Sequence, residues 1–435
     1  MNLFSGLFPR TFLIFVSLSI LSINNTVAQP EGFNYDEDEV PEYKLPKLLF
    51  MSYGAKITFN SQWVRDRRNE ILGFFEQEMY GRRPGKPESV EYVTSSIQKD
   101  ALGGKAIRKE VTIRLTDIGP GFDLHVLMYL PVDAEGAVPA FLGYNFNGNH
   151  SINSDSGITL SKAWMRTENG VGFKDHRATE EARGLSSSRW PVETILARGY
   201  GLVTIYYGDI EPDHAEGWKD GIRAHIKKDQ KGEDLALEDW SAISAWAWGL
   251  SRVLDYLETD EAVDAKKVSV MGHSRLGKTS LWAGASDTRF AITISNDSGC
   301  GGAALSRRAF GETVERINTR FPHWFCSNFS KYNGNENELP IDQHMLIALM
   351  APRPVYVASA VEDQWADPNG EFLSAKHAGP AYELFYKKGV EVETQPEVDQ
   401  PVGDYIGYHV RSGGHNVTDF DWAQYLNFAD RHFNN

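Results

Sequence analysis

The sequence predicts a doubly wound α/β fold, in which helices cover both faces of a mostly parallel central sheet. Runs rich in β-branched and aromatic residues recur between helical stretches, and several are nearly continuous apolar runs. Continuous apolar strands are typical of sheets buried on both faces, and strand–helix alternation is typical of parallel sheets. We place the strands at 107–115, 124–131, 139–146, 199–207, 267–271, 290–295 and 354–361.

Two segments have helical character. Residues 61–80 form one, with Trp63, Ile71, Leu72, Phe75 and Met79 as the apolar set. The clearest helix covers 236–257, where apolar residues recur at alternating steps of four and three and so share one face. This stripe comprises Ala236, Trp240, Ile243, Ala247, Leu250, Leu254 and Leu257. It predicts core packing and carries no chemistry.

The N-terminus is typical of a signal peptide. Arg10 precedes an apolar run over 12–23, and small residues then lead to Ala28, a plausible cleavage site. The run is too short to span a bilayer, so we expect a secreted or periplasmic protein. No repeat or linker divides residues 29–435, which predicts a single catalytic domain. The Gly-, Asn-, Ser- and Arg-rich segment 147–190 is an insertion, placed near the active site or simply solvated.

Composition excludes two classes of partner. The 435-residue chain has a formal net charge of −15 and no basic run. Nucleic acids and anionic membrane surfaces need clustered Lys and Arg, so neither is expected, and a neutral or sugar-like substrate fits better. The two cysteines, Cys300 and Cys326, could pair after export or remain buried thiols.

A strand–turn–helix at 268–285 is the most informative motif. Gly272-His-Ser274-Arg-Leu-Gly277 places a serine between glycines at the end of a predicted strand. Such an elbow exposes the hydroxyl of a nucleophilic serine at the edge of an α/β-hydrolase sheet. The second glycine comes one position later than in the usual Gly-x-Ser-x-Gly. The motif predicts the α/β-hydrolase version of the fold, a three-layer sandwich with Ser274 as nucleophile.

The same residues satisfy the spacing of a phosphate-binding loop. Gly272, four residues, Gly277, Lys278 and Thr279 match the Walker A pattern. A nucleoside triphosphatase is therefore an alternative. Export, and the late position of the motif in the chain, both argue against it.

An acid and a histidine follow the serine in the expected order. Asp363 follows the predicted strand 354–361, and His415 lies in a glycine-rich loop before the last helix. Ser, acid, His is the chain order of α/β-hydrolases. Imidazole titrates near neutral pH and accepts the serine proton, while a carboxylate behind it orients the ring. No cysteine–histidine or His-Glu-x-x-His spacing indicates a metal site, and no cofactor is expected.

At this point the chain resembles the bacterial branch of the glucuronoyl esterases, carbohydrate esterase family 15. The most specific marker is Gly-x-Ser-Arg-x-Gly-Lys, present over 272–278. It accounts for the displaced glycine. The other matching segments are Asn145–His150, Ser188–Pro191, Ser298–Gly302 and Gln364–Pro368.

The resemblance implies a substrate and further site residues. The family cleaves the ester between 4-O-methyl-glucuronic acid of glucuronoxylan and lignin alcohols, which makes lignin–carbohydrate polysaccharide the expected partner. It implies that Arg275 stabilises the oxyanion, and that Lys278, Glu312 and Trp365 bind the uronate.

The resemblance leaves the triad acid between two positions, and the function has rivals. Fungal members carry a glutamate where this chain has Asp297, whereas many bacterial members use the position of Asp363. We favour Asp363, with Asp297 as its partner or reserve. An acetyl-xylan or other carbohydrate esterase is the nearest alternative activity, and a silent polysaccharide-binding protein on the same fold is a more distant one.

Overall fold

The computed structural model describes residues 30–116, 118 and 122–433. Among these residues the strands are β1 Val90–Asp100, β2 Ala106–Leu115, β3 Asp123–Pro131, β4 Val138–Asn145, β5 Phe173–Lys174, β6 Arg177–Ala178, β7 Gly201–Tyr206, β8 Val263–His273, β9 Ile292–Asn296, β10 Val355–Ala360, β11 Val402–Gly403 and β12 Ile406–Arg411. Ten of these strands form one sheet in the order β1-β2-β3-β7-β4-β8-β9-β10-β12-β11, and β5 and β6 form a separate hairpin.

The sheet is parallel from β7 through β12 in spatial order, with antiparallel strands at both margins. Strands β7, β4, β8, β9, β10 and β12 pair in parallel, whereas β1, β2, β3 and β11 join by antiparallel pairing. The carboxyl ends of the parallel strands therefore lie along one edge, where ligands bind in open α/β sheets.

Eleven α-helical segments lie among the described residues. They are α1 Asn60–Gln62, α2 Arg68–Glu78, α3 Ala101–Gly104, α4 Val192–Ala197, α5 Ala242–Leu257, α6 Arg275–Ser286, α7 Val314–Arg320, α8 Gln343–Ala348, α9 Pro368–His377, α10 Gly379–Glu383 and α11 Asp419–Phe433. A π-helical turn over Trp63–Arg67 joins α1 to α2.

Helices cover both faces of the sheet, as predicted. Consecutive residues of β10 enter different apolar clusters, Val355 one and Tyr356 the other, because side chains alternate along a strand. The first cluster takes in residues of α2, α5, α6 and α8, and the second takes in residues of α4 and α11. We call them the α6 face and the α11 face. This is the α/β-hydrolase architecture that the sequence predicted.

Several predicted boundaries were wrong. The helix expected from Ala236 begins at Ala242, because Ser241 adopts extended backbone and caps it by accepting a hydrogen bond from Ser244 N at 3.1 Å. Every residue of α5 is buried, so the face of the helix opposite the apolar stripe is also buried in the protein.

Two strands of the main sheet with six or more residues, β1 and β12, were not predicted. β1 is an edge strand with a mostly exposed polar face, so its apolar content is low. β12 contains a glycine, a histidine and an arginine, all buried. The histidine and the arginine can be buried because Asp421 and Asp297, from other segments, form hydrogen bonds with their side chains. The local sequence pattern does not show these contacts.

The predicted signal peptide, residues 1–28, lies outside the described residues. Within the described ranges, no helix is both long and apolar enough to cross a bilayer.

Candidate active site

Ser274 stands on a sharp turn between β8 and α6. Its backbone has φ 59° and ψ −129°, a conformation that non-glycine residues rarely adopt. The turn is tight enough that a Cβ on Gly272 would lie 1.9 Å from Leu276 O. Ser274 N donates to Asn296 O at 2.9 Å, which ties the elbow to β9. Ser274 borders the cleft at the carboxyl edge of the sheet.

The backbone of this turn does not suit a phosphate-binding loop. Such a loop cradles phosphate with free N–H groups. Here Ser274 N is taken by Asn296 O, and the N–H groups of Gly277 and Lys278 donate to Ser274 O at 2.8 and 3.1 Å. The Lys278 ammonium donates to Ser298 O. The Walker A match is therefore a coincidence of spacing.

His415 lies beside the elbow and against a carboxylate. Its Nδ1 is 2.6 Å from Asp363 Oδ2. The histidine side chain is 43% exposed and the aspartate side chain 7%, so the pair has one solvent-facing and one buried end. With Nδ1 engaged by Asp363, Nε2 is the ring nitrogen available for proton transfer.

Asp297 lies near the same pair but has other partners. Its Oδ2 accepts from Asn416 N at 3.2 Å and from Arg411 Nη2 at 3.3 Å. Burial and the neighbouring charge of Asp363 raise the pKa of Asp297 well above its ordinary value. A carboxylate oxygen of Asp297, a carboxylate oxygen of Asp363 and a ring nitrogen of His415 all lie within 4.8 Å of one another.

Arg411 holds the histidine loop in place. It is almost fully buried and donates to the carbonyl oxygens of Ser412, Gly414 and Asn416. Its Nε donates to Asp421 Oδ2 at 2.7 Å. Since one guanidinium binds three carbonyls and two carboxylates, it fixes the loop to β12 and α11.

Arg275, the residue after the serine, is positioned by Asp213. Its Nη1 donates to Asp213 Oδ2 at 2.8 Å, and its guanidinium lies over the rings of Phe146 and Trp324 at 5.5 and 5.1 Å. Burial alone would raise the pKa of Asp213, but a hydrogen bond from His323 and the charge of Arg275 hold it well below its usual range. As the first residue of α6, Arg275 also presents its backbone N–H without an intrahelical acceptor.

Lys278, Glu312 and Trp365 form the α6-face wall of the cleft. Glu312 N donates to Trp365 O at 3.0 Å. Burial raises the pKa of Glu312 and lowers that of Lys278, while each charge favours the ionised form of the other. The three side chains combine a cation, a carboxylate and an aromatic ring, groups suited to sugar hydroxyls and sugar faces.

The predicted site residues all line one cleft of about 1090 Å³. Its lining residues are Pro30, Arg189, Ser274, Arg275, Lys278, Asp297, Ser298, Gly299, Glu312, Phe321, Trp324, Glu362, Asp363, Trp365, Ala366, Gly414, His415 and Asn416. The structure thus brings every predicted site residue to the same place.

Comparison with known proteins places the chain among the carbohydrate esterases. The family model described as "Glucuronyl esterase, fungi" matches residues 235–385. Carbohydrate esterase MZ0003, from an unknown prokaryotic organism, is 53% identical over 93% of each chain. A promiscuous CE15 esterase from a marine bacterial metagenome has a TM-score of 0.86 at 51% identity, covering 92% of this chain and all of that one.

The chain belongs to carbohydrate esterase family 15, the glucuronoyl esterases. The glucuronoyl esterase from Solibacter usitatus agrees with this, with a TM-score of 0.85 at 50% identity over 91% of this chain and 100% of that one. The 4-O-methyl-glucuronoyl methylesterase 1 of Phanerochaete chrysosporium is 40% identical over 74% of this chain and 58% of that protein. This family 15 member is therefore a carboxylic ester hydrolase.

Several residues in and around the esterase site were not predicted from sequence. Asp213 and Arg411 position site groups, Glu371 accepts from the N–H groups of Ser298 and Gly299 at 2.8 and 2.9 Å, and Arg189 lines the cleft. Arg189 lies in the matching segment Ser188–Pro191, which was the available signal. The other three stand in segments with no local motif.

Proposed function

We propose that this family 15 esterase is a serine hydrolase that cleaves esters between 4-O-methyl-glucuronic acid of glucuronoxylan and lignin alcohols. The observation that supports this mechanism is the contact of 2.6 Å between His415 Nδ1 and Asp363 Oδ2, beside a serine whose backbone has φ 59°. The names of its relatives support the uronate ester as substrate. We propose further that residues 1–28 direct export, and that 29–435 form one catalytic domain.

The reaction follows from these groups in two halves. Ser274 Oγ attacks the ester carbonyl carbon while its proton passes to His415 Nε2. The oxyanion is stabilised by the Arg275 backbone N–H and by its guanidinium. The tetrahedral intermediate collapses, the C–O bond to the alcohol breaks, and His415 gives the alcohol its proton. Water then attacks the acyl-enzyme with His415 as base, which releases the uronic acid and restores Ser274.

The polar wall of Lys278, Glu312 and Trp365 supports a sugar as the acyl half. A lysine and a glutamate donate to and accept from sugar hydroxyls, and the indole packs on a sugar face. An acetyl group has no hydroxyls to bind Lys278 and Glu312 and no sugar face for the Trp365 indole, which disfavours it. This distinguishes a uronate ester from the acetyl-xylan alternative.

The deciding experiment compares wild type, Ser274→Ala and Ser286→Ala on benzyl glucuronate and on acetylated xylan. Ser286 ends α6 and its hydroxyl donates to Trp282 O at 2.6 Å, so it is a matched control outside the cleft. We expect wild type and Ser286→Ala to favour the glucuronate ester, and Ser274→Ala to lose roughly 10⁶-fold in kcat. Substantial turnover by Ser274→Ala would rule out the serine mechanism, and preferential deacetylation would rule out the substrate.

A further inference from the structure

Arg189 stands apart from the other cations that line the cleft. Arg275 is paired with Asp213, and Lys278 donates to Ser298 O. Arg189 donates through Nε to the neutral Asn416 Oδ1 at 2.7 Å. Among the residues that the structure describes, neither of its terminal nitrogens has an acceptor, and no carboxylate forms an ion pair with it.

The guanidinium is also partly withdrawn from water. Burial lowers the pKa of Arg189, an effect that the charge of Asp297 opposes. Its backbone is fixed, because Arg189 O accepts from Trp422 Nε1 at 2.8 Å. A half-buried cation whose backbone is fixed, and whose four terminal N–H groups have no acceptor among the described residues, is suited to bind an acceptor on a substrate.

Its position identifies the half of the substrate that it faces. Arg189 precedes α4, which packs on the α11 face, and its partner Asn416 directly follows His415. Lys278 belongs to α6, on the opposite face. The two cations therefore flank the serine and histidine from opposite sides.

The chemistry of ester cleavage assigns the α11-face side to the alcohol. His415 must give its proton to the departing oxygen, so the leaving alcohol lies against the histidine loop. The acyl sugar, which bears the attacked carbonyl, then extends toward Lys278 and Glu312.

We propose that Arg189 is a specificity-determining residue, which binds oxygen acceptors on the alcohol half of the ester and binds a carboxylate there best. This inference rests on the proposed function. A carboxylate matches the two remaining edges of a guanidinium geometrically and in charge. Phenolic and ether oxygens of an aryl alcohol are weaker acceptors for the same N–H groups.

The test uses three glucuronate esters: those of methanol, of 4-methylbenzyl alcohol and of 4-(hydroxymethyl)benzoate. The two benzyl esters have similar shapes and differ in charge. We expect wild type to favour the carboxylate ester. Arg189→Met should lower kcat/KM for that ester by roughly tenfold or more relative to the other two, and Arg189→Lys should keep part of the preference because it keeps the charge.

Arg198→Met is the matched control. Arg198 follows the C-terminus of α4 and pairs with Asp430 on the surface, so this variant removes the same charge outside the cleft and should keep the wild-type preference. Two results overturn the inference: no carboxylate preference in wild type, or an equal loss on all three esters in Arg189→Met, which would mean that Arg189 only holds Asn416. Failure of wild type on every ester, methyl included, would instead refute the proposed function.

Discussion

At the scale of single residues, the roles in the candidate site depend on which group each charged side chain contacts. Asp363 and Asp297 both approach His415, yet they have different surroundings. Asp363 contacts the imidazole directly, whereas Asp297 is engaged by Arg411 and by the backbone of Asn416. A carboxylate that binds the imidazole stabilises the imidazolium formed in the reaction. A carboxylate that binds the loop instead keeps the histidine in place.

Mutation of each aspartate separates these two roles. Asp363→Asn should lower kcat roughly 10⁴-fold, by analogy with other triads, because the amide no longer stabilises the imidazolium. Asp297→Asn should cost about tenfold, a barrier change of about 1.4 kcal/mol. Single-turnover rates on benzyl glucuronate measure both. A severe Asp297→Asn beside a mild Asp363→Asn would assign the triad to Asp297.

At the scale of elements, the elbow between β8 and α6 is a tightly constrained segment. Its geometry depends on glycines because the first turn of α6 folds back against the end of β8. A Cβ at Gly272 would collide with backbone, which moves less easily than a flexible side chain. The strained serine is thereby held by packing on both sides.

Gly272→Ala tests this constraint. We expect the variant to lose about 1–3 kcal/mol of unfolding free energy and most of its esterase activity, because Leu276 O must shift and move Ser274 with it. Gly379→Ala is the control: it begins α10 with open space around its Cβ position, and it should match or exceed wild type in stability. Urea unfolding and kcat measurements on both variants test this expectation. A Gly272→Ala variant that is active and stable would contradict the proposed strain in the elbow.

A second element, the loop after β12, depends on Arg411. Arg411→Met should remove one donor from each of three carbonyls and two carboxylates. We therefore expect low kcat and an altered pH–rate profile as Asp297 loses its counter-charge. Arg411→Lys keeps the positive charge but not the guanidinium hydrogen bonds. We therefore expect it to restore the wild-type pH–rate profile more fully than it restores kcat. An unchanged pH profile in a folded, slow Arg411→Met would show that Arg411 acts only as a structural anchor.

At the scale of the whole molecule, an acidic, proline-containing N-terminal segment, residues 33–46, connects the core to the cleft. His344 on α8 donates through Nε2 to Pro46 O at 3.1 Å, and the Phe33 ring contacts Trp365 edge to face with centroids 4.9 Å apart. Arg308 pairs with Glu37 at 2.7 Å. The acidic, proline-rich segment is thus fixed along the surface by contacts with α8, with the Trp365 loop and with Arg308.

The buried His344 makes the stability of the fold sensitive to pH. Burial lowers the pKa of His344 to about 4, whereas in the unfolded chain it is about 6.5. Between these values only the unfolded state takes up the proton, so the unfolding free energy of wild type falls as pH decreases from 6.5 to 4. His344→Gln removes the titration. The stability advantage of wild type over this variant should shrink by about 3 kcal/mol across the window.

Urea unfolding of wild type and His344→Gln at pH 7, 5.5 and 4.5 measures that difference. Comparing the two proteins at each pH cancels the titration of all other groups. A difference that stays constant with pH would show that His344 is not buried as a neutral ring in the folded state.

The sequence by itself determined the fold class, the elbow and the chain order of the proposed catalytic residues. These are local properties: apolar strands buried on both faces are legible along the chain, and Ser274 is flanked by glycines within a few positions. The proposed acid and histidine could be placed at one edge of the sheet because each follows a strand, and parallel strands end at one edge. The family motif over 272–278 then added Arg275 and Lys278.

Only the tertiary structure decided which groups touch. His415 is 52 residues from Asp363, and Asn416 is 119 from Asp297, so their contacts depend on strand order and loop course, which no local pattern encodes. The same holds for Arg411, whose burial in β12 is tolerated because carboxylates from two other segments neutralise it. A buried charge is stable only when oppositely charged or hydrogen-bonding groups contact it. In this protein those contacts exist only in the folded chain.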